Sequence, residues 1–75
     1  MINVTKKANV IVIEKGISYK AIVHPGTARR IAALDDGDTL FYKDEQGVEW
    51  LVTRIEDQVI FETEHRALTV AHDTF

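Results

Sequence analysis

The sequence predicts an α+β domain, mainly antiparallel β in the order ββαβββ, with one short helix near residues 26–35 and a small barrel-like sheet. Three observations carry that expectation. Short runs rich in β-branched and aromatic residues recur between turns marked by glycine or paired acids. One segment alone, "HPGTARRIAALDDGD", has both a helix start and a helix stop. No repeat, low-complexity tract or linker interrupts the chain, so residues 1–75 read as a single domain.

The elements follow in order. "NVIVIE" is β-branched and too short for a helix of its own, so it reads as a strand. Lys15-Gly16 then leads into "ISYKAIV", in which Ile17, Tyr19, Ala21 and Val23 alternate with polar neighbours. A hairpin over residues 9–23 results, with Gly16 supplying the positive φ of a tight connection. Pro25 suits a first helical turn, and either His24 or Thr27 can cap it, Thr27 being the better acceptor. Thr27, Ile31 and Leu34, with Ala28 and Ala32 beside them, form a narrow apolar stripe. "DDGD" ends the helix. "TLFYK", "VEWLVTRI" and "QVIFETE" are strands joined by "DEQG" and Glu56-Asp57, and "ALTVA" is a candidate sixth strand. The "VEWLVTRI" strand has apolar residues on both faces and is placed centrally.

Composition narrows the function classes. A core built from 75 residues supplies about 3–5 kcal/mol of net stability. Without cysteine, neither a disulfide nor a thiolate metal site can add to it, and thiol catalysis is excluded. Association into a homodimer is the expected support. The longest apolar run, Val10 to Ile13, cannot span a bilayer, and "MINVTKK" opens no signal peptide. A cytoplasmic protein with no membrane partner is expected.

The net charge of −3 hides an asymmetry. Lys6, Lys7, Lys15, Lys20, Arg29 and Arg30 face a single acid, Glu14, in residues 1–34, whereas residues 35–64 hold ten acids against Lys43 and Arg54. If the fold keeps the two sets apart, a basic face for an anionic partner and an acidic face result. If strand pairing interleaves them, neither does.

Several residues invite a chemical reading, each beside a plainer one. The helix start could hold a phosphate through backbone N–H groups, Gly26 and the pair Arg29 and Arg30. The plainer alternative is ordinary capping, although arginine in a first turn opposes the helix dipole. His24, His65 and His72 lack metal-ligand spacing, so neither a metal nor another cofactor is expected. Ser18, the only serine, sits in strand context with no His–Asp partnership, and carboxylate pairs among Glu49, Glu62 and Glu64 are what any acid-rich strand offers. The expected protein is therefore not an enzyme. Phe41, Tyr42, Trp50 and Phe61 are expected in the core rather than as base-stacking residues, because the same strands carry most of the acids. Phe75 stands outside any periodic pattern.

From Pro25 onward the spacing of Pro25, Arg29, Leu34, Gly37-Asp38 and Leu40, then a strand, a turn at Gly47 and a second strand, resembles the swapped-hairpin AbrB family. These are small dimeric DNA-binding regulators that include the MazE-like antitoxins. The resemblance covers residues 17–55. It departs at His24, where the family has an aliphatic residue, at Ala32, where a larger apolar one is common, and in the added residues 58–75. It implies a homodimer that binds duplex DNA, with Arg29 at the helix position and Lys15 and Lys20 as the nearest N-terminal bases. Together these readings give a non-enzymatic binding module contacting nucleic acid through Lys15, Lys20, Arg29 and Arg30. The competing expectation is an acidic accessory or inhibitor module that docks on a basic protein through residues 35–64, notably Glu49, Glu56, Asp57 and Glu62.

Overall fold

A computed structural model describes residues 1–7, 9–17 and 19–75. It contains seven strands, one α-helix and a closing 3-10 turn. In chain order these are β1 (Ile2–Lys7), β2 (Val10–Lys15), β3 (Tyr19–Val23), α1 (Pro25–Ala32), β4 (Thr39–Lys43), β5 (Glu49–Ile55), β6 (Gln58–Glu62), β7 (Ala67–Ala71) and the turn His72–Thr74. Every strand pair is antiparallel. The strands do not close into the expected barrel-like sheet. They divide into a three-stranded sheet, β1-β2-β3, and a four-stranded sheet, β4-β5-β6-β7. The break falls at α1, which separates β3 from β4 and leaves them unpaired.

The expected hairpin is present as β2 and β3, with Gly16 at φ 67°. Ser18, read in strand context, lies outside the described residues. β1 was absent from the expected order. Its residues INVTKK are nearly all exposed, and backbone pairing to β2, from Ile2↔Lys15 to Lys7↔Val10, makes it a strand. "ALTVA" does form a strand, β7, against β6.

Alternation decides what is buried. Ile11, Ile13, Ala21 and Val23 turn one face of the first sheet inward. Leu40, Trp50, Val52, Val59, Phe61, Leu68 and Val70 do the same for the second, and one core joins both sets. Trp50 and Phe61 are fully buried and meet edge-on at 6.3 Å. Tyr42 meets Phe61 edge-on at 6.2 Å, and Phe75 joins the cluster with its ring 5.7 Å from Phe61. Phe41 is the exception to the expected aromatic core. It lies on the outer face and is 71% exposed, because parity gives the inner face of β4 to Leu40 and Tyr42.

The helix begins at Pro25, one residue before the expected start, with His24 rather than Thr27 as its N-cap and no side-chain capping bond. It ends at Ala32, so Leu34 lies beyond it; only Ala28 and Ile31 of the expected stripe are buried, and Ala32 is exposed. Both ends are held from outside. Nε2–H of His24 donates to Oε1 of Glu45 at 2.7 Å, tying the helix start to the β4–β5 turn. Nε2–H of His72 donates to the carbonyls of Ile31 and Ala32 at 3.2 and 3.1 Å, closing the last turn.

The β4–β5 turn is built around Asp44, the one charged residue in the buried set. Its Oδ1 accepts the amides of Gln46 and Val48 at 2.9 and 3.0 Å, and its Oδ2 accepts Trp50 Nε1–H at 3.0 Å. Gly47, at φ 80°, takes the left-handed position that lets the turn close.

Candidate anion-binding cleft

The strand registers divide the front-third cations into two groups. β2 runs from Val10, beside the helix, to Lys15 at the opposite end of its sheet. Because Lys6 pairs with Ile11, and Lys7 with Val10, those two lysines lie at the helix end. Lys15 is four residues from Ile11 along β2, about 13 Å at strand rise. Lys20 pairs with Glu14 at the Lys15 end, on the outward face. The residues expected to act together therefore split, with Arg29 in the neighbourhood of Lys6 and away from Lys15 and Lys20.

Lys6 and Arg29 line one cleft of about 500 Å³ between the end of β1, the helix and the 3-10 turn. Its other polar groups are Asn9 and Thr74, and its apolar wall comes from Ile11, Pro25, Ala28 and Phe75. Both ionisable side chains that line it are cations. Arg30, the next helical residue, is exposed and does not line the cleft. Because the helix starts at Pro25, both arginines fall in its last turn rather than its first. The dipole favours cations there, so their presence needs no bound anion to offset it. What points to a ligand is the convergence of Lys6 and Arg29 on one concavity.

Among the described residues, none of Lys6, Lys7, Lys15, Lys20, Arg29 or Arg30 makes an ion pair. The pairs present involve His24 with Glu45, Lys43 with Glu49 at 3.9 Å, and His65 with Glu64 at 3.8 Å. Arg54 is used internally, donating to the carbonyls of Leu34 at 2.6 Å and Glu56 at 2.9 Å. The first sheet and helix thus make no ion pair among the described residues, with Glu14 on β2 the one acid of that sheet, while most acids lie in the second sheet and the segments around it.

The acids of the competing expectation also separate. Glu49 and Glu62 share the outer face of the second sheet, near Phe41 and Leu51. Glu56 and Asp57 form the β5–β6 turn at the other end of β5, seven residues of strand away. Glu56 takes φ 55° there and gives its amide to Asp36 Oδ1 at 2.7 Å.

Asn9 was not singled out from the sequence, and Lys6 stood only as one of the front-third bases. Only the β1–β2 register shows which lysine reaches the helix. Among the described residues, no three His, Asp or Glu side chains lie close enough to hold a metal ion. No helix among them is long and apolar enough to cross a membrane. Comparison with protein-family models, with curated proteins and with solved structures finds no match.

Proposed function

We propose that this chain is a non-enzymatic binding module that holds an anionic partner in the cleft between β1 and α1. Duplex DNA, gripped through its phosphates, is the partner that the basic front third and the AbrB-like spacing favour. The supporting observation is that Lys6 and Arg29 line the same concavity, with no acidic side chain in its lining. Arginine presents a planar fork to phosphate oxygens and lysine a compact point charge, a combination suited to a phosphodiester. The exposed Lys7 and Arg30 lie near the same end and extend the contact surface. In this reading the protein acts in the cytoplasm.

Anisotropy of a labelled duplex, titrated at several salt concentrations, tests the proposal. Counterion release makes affinity fall with salt, and each phosphate contact removed lowers the slope of log K against log salt by about 1. Lys6→Ala and Arg29→Ala are each expected to do so, whereas Lys15→Ala changes the slope less. Absent binding at low salt, or binding indifferent to salt, contradicts the reading. The acidic docking module retains support only from Glu49 and Glu62, which flank exposed Phe41. Reversing both to lysine distinguishes it, since DNA binding should then persist or strengthen.

A further inference from the structure

We propose that the cleft between β1 and α1 takes up one unpaired nucleotide of a DNA strand, its phosphate between Lys6 and Arg29 and its base against the ring of Phe75. The inference rests on the reading of this cleft as an anion site and names the group that fills it. Water occupies about 30 Å³ per molecule in the liquid, and a phosphate group takes only a few such shares. In a cleft of about 500 Å³ a phosphate therefore leaves most of the space open. That volume lies within the range of about 300–1,000 Å³ common to sites that enclose a small molecule. The lining is mixed in chemistry: Lys6, Arg29 and Asn9 are polar, whereas Ile11, Ala28 and Phe75 are apolar. Such a lining suits an anion joined to a flat, largely apolar body. A nucleotide is that kind of unit, but a base stacked inside a duplex cannot enter, so the nucleotide has to be unpaired.

Phe75 supplies the stacking surface. Its ring lies 5.7 Å from that of Phe61 and is tilted by 34°, and its amide donates to the carbonyl of His72 at 3.1 Å. The side chain is thus held against the core, yet it is only partly buried and lines the cleft. A ring fixed before binding loses little conformational entropy when a base stacks on it.

Asn9 supplies a polar handle. Lys7 pairs with Val10, so Asn9 belongs to the short connection between them, and it holds φ 71°. Glycine takes that conformation most readily, and asparagine is one of the few side chains that tolerate it. Asparagine here adds to the lining a carboxamide that both donates and accepts, as the edge of a base requires. The exposed Lys7 and Arg30 near the same end meet the flanking phosphates, which favours a nucleotide within a strand over a free monophosphate.

Anisotropy titrations of the intact chain with three labelled probes test the inference. The probes are a blunt duplex, the same duplex with a short single-stranded overhang, and the same duplex with an overhang of abasic sites. The overhang with bases is expected to bind about tenfold tighter than the abasic one, which carries the same phosphates, at an equal salt slope. Phe75→Leu keeps apolar volume against Phe61 but loses the flat ring. It is expected to erase the tenfold difference and leave the abasic affinity unchanged. Asn9→Gly is expected to weaken binding of the base-bearing overhang alone, with stability in urea at or above that of the wild type. Equal wild-type affinity for the two overhangs overturns the inference and leaves the anion reading standing, whereas no binding of any probe at low salt overturns both. A folded Phe75→Leu that retains the tenfold difference overturns it as well. If circular dichroism shows that Phe75→Leu loses its structure, the two overhangs on wild type and Asn9→Gly decide the question. Adenosine monophosphate as competitor separates the free nucleotide from the strand. Displacement only far above the strand's own Kd is expected, and displacement at that Kd overturns the strand assignment.

Discussion

Removing the Asp44 carboxylate should be among the most damaging single changes available in this protein. Its two oxygens accept three N–H groups: the amides of Gln46 and Val48, and the indole of Trp50. In Asp44→Ala the indole N–H is left with no acceptor at a fully buried residue, a cost of about 1–3 kcal/mol. Gln46 is exposed and Val48 only half-buried, so their amides can turn to water, and each loses about 0.5–1.5 kcal/mol. The total comes to about 4 kcal/mol, comparable to the roughly 3–5 kcal/mol that one core of this size supplies. Asp44→Asn is expected to cost about half as much. Its remaining oxygen can serve the turn amides, but its NH2 then faces the indole donor. Urea unfolding followed by the fluorescence of Trp50, the only tryptophan, reads both values. The reasoning fails if Asp44→Ala lies within about 1 kcal/mol of wild type, or if Asn proves as costly as Ala. Repeating Asp44→Ala in a Trp50→Phe background, followed by circular dichroism, should recover the indole's share.

The Tyr42 hydroxyl is buried without a hydrogen-bond partner, so Tyr42→Phe should stabilise the protein by about 1 kcal/mol in urea unfolding. Burial first, and the nearby Asp44 charge second, raise the Tyr42 phenol well above its ordinary range. Because the folded state holds this proton more tightly, its contribution is intact below pH about 10, the value for an unfolded tyrosine, and declines as pH rises beyond it. The alkaline loss of stability should shrink in Tyr42→Phe, as unfolding curves at pH 8 and above will show. His72→Ala removes the donor to two helix-end carbonyls and should cost about 1 kcal/mol. Hydrogen exchange should then quicken in the last turn of α1 before it does in β5.

Sequence reasoning succeeded where one residue dictates local geometry. Pro25 marked the helix start, while Gly16 and Gly47 marked two turns that do take positive φ. For β5 it expected apolar residues on both faces and did not say which turns inward; Trp50 and Val52 are buried, while Ile55 on the opposite face is exposed. It failed where partners at long range decide. INVTKK lacks an apolar alternation strong enough to announce a strand, and β1 exists through its bonds to β2. β4 has an aromatic residue on each face, so nothing in TLFYK says whether Phe41 or Tyr42 turns inward. The helix was drawn too long because Leu34 continues the helical period; Leu34 instead gives its carbonyl to Arg54, twenty positions away. For the same reason the basic residues were visible as a group, but the approach of Lys6 to Arg29 was not.

The bond from His72 to the end of α1 also bears on how the chain acquires its shape. Eight residues form too short a helix to persist alone in water, where stable isolated helices need about 12–15. The group that fastens its final turn lies 41 positions downstream, beyond the last strand. During synthesis, β1 to β3 can therefore assemble into a meander while the segment after them is still melted. That segment consolidates only after the four-stranded sheet has emerged and brought His72 into place, so formation of the Lys6–Arg29 concavity is among the last events of folding.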